Sequence, residues 1–91
     1  MTHYVKCKYE KGMWDNEKIV AINAVNRPEG KYSFFAFDSE LLLAEKGEAL
    51  IRIVSGSAIG NGKAMVMLRE QGNPTYFTVP LEDIVEKEVK Q

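Results

Sequence analysis

Near the beginning of the chain, Val5, Cys7 and Tyr9 alternate with Tyr4, Lys6 and Lys8. That period of two puts one set of side chains against a core and the other towards water, as in a half-buried β-strand. Comparable segments rich in Val, Ile, Tyr and Phe recur along the chain, separated by Gly, Asn and Pro clusters, and the rhythm predicts a mainly β protein. The predicted strands cover residues 3–9, 18–25, 31–37, 49–54, 63–69 and 75–79. Asn26-Arg27-Pro28-Glu29-Gly30 and Gln71-Gly72-Asn73-Pro74 carry turn chemistry: Pro presets φ, and Gly accepts a positive φ.

Two segments fit a helix better. Asp38 or Ser39 can cap residues 40–46, with Glu40 in the first turn, Lys46 in the last and Gly47 just beyond. After Pro80, the residues Leu81, Ile84, Val85 and Val89 fall near the 3.6 spacing, with Asp83–Lys87 and Glu86–Lys90 as i,i+4 pairs, so residues 81–90 also read as helix. The competing pattern there is a single turn over 81–84 and a last strand, because Val85, Lys87 and Val89 alternate. The strand order, the long first loop and the Val79-Pro80 turn resemble a small SH3-like or related open β-barrel of five to six strands with one or two short helices. Such a likeness concerns the fold and assigns no function.

With 91 residues, the chain is expected to form one domain over 1–91. Its 45% apolar content supports a single core, and twelve basic against thirteen acidic residues leave a net charge of −1. The longest apolar runs fall far below the roughly 18 residues of a membrane span. The first 25 residues carry charges and no apolar h-region, and Cys7, the single cysteine, has no internal disulfide partner. Both features point to a cytoplasmic protein.

Candidate chemistry thins out on inspection. Ser57-Ala58-Ile59-Gly60-Asn61-Gly62-Lys63-Ala64 contains the Gly-Lys of a phosphate-binding loop. Ser57 replaces a required Gly, however, Ala64 replaces the hydroxyl that would ligate magnesium, and Lys63 opens a strand rather than a helix, so a hairpin turn is expected. His3 and Cys7 lie about 13 Å apart along one strand, too far to share a metal or act as a thiolate–imidazole pair. The carboxylate pairs Asp15/Glu17, Asp38/Glu40 and Glu82/Asp83 sit at loops and element starts, where acids cap and solvate. No catalytic residue, metal or cofactor is expected from any spacing, and the chain is not expected to be an enzyme.

Two binding readings remain. Tyr4, Lys6 and Lys8, extended by Lys11 and Trp14, could form a nucleic-acid face, with aromatic stacking among basic residues. The net charge of −1 weighs against it. The other reading starts from strands that are apolar on both sides. Met65 and Met67 oppose Ala64, Val66 and Leu68, and Phe35 and Phe37 oppose Phe34 and Ala36. A barrel has one interior, so a second apolar face needs a cover. Either the two expected helices supply it, or Phe35, Phe37, Met65 and Met67 meet another protein, most simply a second copy in a homodimer. Met13 and Trp14 are expected to close the end of the core, with a binding anchor as the other use of Trp14. The expected function is therefore an interaction or accessory module, self-associating, with nucleic-acid binding as the alternative.

Overall fold

A computed structural model describes residues 1–88. The chain is mainly β and folds into two antiparallel sheets that do not close into a barrel. Its strands are β1 (Thr2–Lys11), β2 (Glu17–Asn23), β3 (Lys31–Phe37), β4 (Leu41–Leu43), β5 (Glu48–Arg52), β6 (Ser55–Gly60), β7 (Lys63–Glu70), β8 (Asn73–Pro80) and β9 (Ile84–Lys87). The larger sheet runs β3-β2-β1-β5-β4, and β9 also pairs with β1; the smaller runs β6-β7-β8.

β1 organises the larger sheet. Its whole middle pairs with β5, from Tyr4 opposite Arg52 to Lys8 opposite Glu48. On its other edge β2 takes Lys8 to Lys11, and β9 takes Thr2 to Val5. The chain then bends between β5 and β6. The Ile53 N–H still donates to His3 O on β1, at 2.9 Å, while the Val54 N–H already donates to Met67 O on β7, also at 2.9 Å. The smaller sheet meets the larger where the Gln71 N–H donates to Phe35 O and the Val25 N–H donates to Thr78 O. Val5, Val20, Ile51, Val66, Leu68, Phe77 and Val79 fill the space between the sheets.

Neither expected helix forms. A one-turn 3-10 segment, Asp38–Glu40, leads directly into β4, whose Leu41 and Leu42 pair with Ile51 and Leu50 of β5. A three-leucine run is too short for periodicity to separate helix from strand, and β5 had an open edge to fill. Gly47 adopts φ +74° in the hairpin turn after β4, the same backbone requirement that made it look like a helix cap. At the other end a single 3-10 turn, Leu81–Asp83, leads to β9, because the first half of β1 lacks a partner beyond the reach of β2. The competing pattern of one turn and a last strand is the one observed through Lys87. Val89 and Lys90 of the expected helix lie outside the described residues.

The hairpin readings hold. Asn61 and Gly62, with φ 55° and 71°, connect β6 to β7, and Lys63 opens a strand. Gln71 and Gly72 connect β7 to β8, and Asn73 and Pro74 already belong to β8.

Candidate functional site

The residues singled out for an interface separate into two patches. Met65 and Met67 lie on the outer face of β7, opposite Thr78 and Tyr76 of β8 and Ser57 and Ser55 of β6. Cross-strand partners share a face, so these six residues make one uncharged surface. Met65 is 43% and Tyr76 56% exposed, and Met67 is half-buried. Tyr76 escaped the sequence reading, although its register opposite Met67 follows directly from the Gln71-Gly72 turn. Among the described residues no helix lies over this face, since no α-helix forms.

Phe35 and Phe37, each 37% exposed, lie on β3 in the larger sheet. Phe37 pairs in register with Glu17, and the Asp38 N–H donates to Asn16 O at 2.8 Å, which fixes the end of β3 against the loop after β1. That loop carries Met13 and Trp14. The expectation that they close the core fails: Trp14 is 64% exposed and Met13 more so. Gly12 allows this geometry, because a Cβ there would stand 2.9 Å from the backbone oxygen of Glu17, so the loop folds back tightly on β2 and its apolar side chains point away. Trp14 thus stands out in the loop bonded to the end of β3, while β3 meets the β7–β8 turn, where Phe35 O accepts the Gln71 N–H and the Phe37 ring lies beside Gly72.

The residues of the nucleic-acid face do not act together. Tyr4 is 5% exposed and has no ring face to offer a base. Lys6, Lys8 and Lys11 are exposed, but Lys8 stands opposite Glu48 in the register. A hollow of about 270 Å³ beside β1, lined in part by Lys6, Lys8 and Lys31, also contains Glu48 and Asp83. The field at this surface is mixed in sign.

Several other ionisable groups have structural partners. Lys18 Nζ donates to Asp38 at 2.8 Å, Arg52 donates to the buried Glu40 at 3.3 Å, and Asn23 donates to Asp83 at 3.0 Å. His3 Nε2 lies 3.5 Å from Glu86. Cys7 sits in the core, and burial, followed by the negative charge of Glu48, pushes its thiol up to about 12. A thiol held that high stays protonated and is a poor nucleophile or metal ligand.

Arg27 is the element of the fold least visible in the sequence. It lies in the turn before β3, over the rings of Tyr32 and Phe77, and its Nη2 donates to Tyr76 O at 3.2 Å. With the Val25 N–H and Asn26 Oδ1 bonded to Thr78, this turn covers the outer edge of β8. No family model matches the chain, and neither the curated proteins nor the solved structures include a match to it.

Proposed function

We propose that the protein is a non-enzymatic interaction module that forms a homodimer through the outer face of β6-β7-β8. One observation carries this reading: Met65, Met67 and Tyr76 form an uncharged, uncovered apolar surface on a regular sheet. Each large side chain withdrawn from water there would contribute roughly 1.5–3 kcal/mol. The centre of this face can meet its own copy across a two-fold axis, with the charges of Lys63 and Arg69 kept to the two ends of β7, and two sheets can pack face to face at about 10 Å. The exposed Trp14, with Phe35 and Phe37 of β3, is the second surface available to a protein partner.

The course of the chain supports an SH3-like open barrel as the scaffold. β1 lies between β5 and β9, the bend after Ile53 passes the chain from one sheet to the other, and a one-turn 3-10 segment precedes the last strand. The lone, buried, protonated Cys7 supports residence in a reducing cytoplasm. Nucleic-acid binding has less support, because burial of Tyr4 removes its stacking residue and acids interrupt its lysines.

Light scattering on the purified chain at about 100 µM tests the dimer, at a concentration well above the micromolar range of ordinary association. The expected mass is twice the 10.3 kDa of the chain. Met67→Lys should yield a folded monomer. A clean monomer of the unmodified chain overturns the reading. A dimer that survives Met67→Lys moves the interface to the Trp14 loop.

A further inference from the structure

The sheets guard most of their edges. β4 is three residues long, β8 is covered by the turn around Asn26, and β3 meets the Gln71 turn. β9 carries Glu86 and Lys87. β6 differs from all of these. Its six residues, Ser55–Gly60, include no charge and no proline, every one is exposed, and among the described residues it pairs only with β7. Natural sheets seldom leave such an edge unless something pairs with it. Thr78 turns its N–H and C=O to the outer edge of β8, so Met65 and Met67 turn theirs to Ser57 and Ser55, and the amides of Gly56 and Ala58 are left on the open side of β6.

A groove of about 410 Å³ runs along that open side, lined by Gly56 and Ala58 of β6, by Val66, and by Ile53, Leu81 and Ile84 across the gap. Gly56 and Ala58 stand opposite the buried Val66 and Ala64, so they occupy the core-facing positions of β6. Gly56 cannot be enlarged in place, since a Cβ would lie 2.9 Å from Met65 O. β6 therefore adds almost no volume to the interior, and the groove is the space that larger side chains would fill.

We propose that this edge accepts an extended peptide segment, which adds to β6 as a fourth strand and lowers alternate large apolar side chains into the groove. A second copy pairing through its own β6 would present only Gly56 and Ala58 and leave the groove empty. The far wall carries Glu82 beside Leu81, and Glu86 lies next to His3 at the groove's end. The polar positions of the bound segment are therefore basic. The site lies on a different surface from the methionine face and does not depend on dimer formation.

The test uses the full chain and a capped heptapeptide, Lys-Val-Lys-Leu-Lys-Val-Lys, with affinity measured by titration and amide exchange read by NMR. Saturation should slow exchange of the Gly56 and Ala58 amides by about tenfold or more. Of two versions N-methylated on opposite strand edges, one should lose binding and the other keep it. Ala58→Leu, checked for folding by circular dichroism, should weaken binding about tenfold by filling the groove, whereas Met67→Lys should leave it unchanged. Absence of binding at about 1 mM, the weakest affinity worth assigning to a site, overturns the proposal. So does equal binding of both methylated peptides, or protection confined to strands other than β6.

Discussion

The guanidinium of Arg27 lies over the ring of Phe77, 4.9 Å from its centre, and holds the turn before β3 onto the core. Tyr32 lies at 4.7 Å from the same group, and Tyr32, Phe34 and Phe77 pack on one another. Cation–π attraction and a backbone hydrogen bond act together here, and the planar fork of arginine serves both. Arg27→Ala should destabilise the fold by about 2 kcal/mol, a fall of roughly 8–16 °C in melting temperature. Arg27→Lys should fall between, retaining charge but losing the flat stacking surface. A thermal melt of Arg27→Ala indistinguishable from the parent would show that the stack contributes nothing.

Cys7 makes stability depend on alkaline pH. Its thiol titrates near 9.0 in the unfolded chain and at about 12 in the fold, so the folded state holds its proton longer. With more protons bound in the folded than in the unfolded state, stability falls as pH rises through that window, by up to about 1.4 kcal/mol per pH unit. Below pH 9 this contribution is fully present. Cys7→Ala removes the dependence, leaving only the background titration that both chains share. Urea unfolding of the two proteins at pH 8 and pH 10.5 checks this: their stability difference should shift in favour of Cys7→Ala at the higher pH, and parallel losses would refute it.

Trp14 stands in water, so Trp14→Ala should change stability by no more than about 0.5 kcal/mol. Its emission should resemble that of a solvated indole. The mixed charge around Lys6 and Lys8 further predicts no change in that emission on adding single-stranded oligonucleotide, even at about 20 mM salt, where screening is weakest. A salt-sensitive quench would restore the nucleic-acid reading.

The sequence made β1, β2, β3, β5, β7 and β8 legible because each has alternation or a β-branched run bounded by turn residues. The three missed strands fail that test for separate physical reasons. β4 is three leucines, which serve either geometry. β9 presents Ile84 and Val85 after a proline, at a spacing that a helix also satisfies. β6, with Ser, Gly and Ala at most positions, lacks strand propensity and is held by its pairing with β7. The same loss limited the candidate sites: Met65 and Met67 were visible as an apolar stripe, but the groove depends on how small Gly56 and Ala58 are once β6 is known to be a strand. Tyr4 misled because alternation assigns a face without saying what else covers it. Burial of Tyr4 follows from its place between β5 and β9, with Arg52 on one side and Val85 on the other.

The double partnership on one edge of β1 sets an order on folding. Thr2 pairs with Lys87 and Val5 with Ile84, so the ladder between β1 and β9 closes nearly the whole length of the described chain into a loop. β2 can pair with β1, and β3 with β2, as soon as they leave the ribosome, since those contacts are local. On that same edge the first half of β1, with Tyr4 and Val5, must wait until Ile84–Lys87 has been made. Pairing across such a separation slows folding and leaves one edge of that strand open in the meantime. The charges of Lys6 and Lys8 on that strand are then as important to the nascent chain, which they keep from pairing with its neighbours, as to the finished fold.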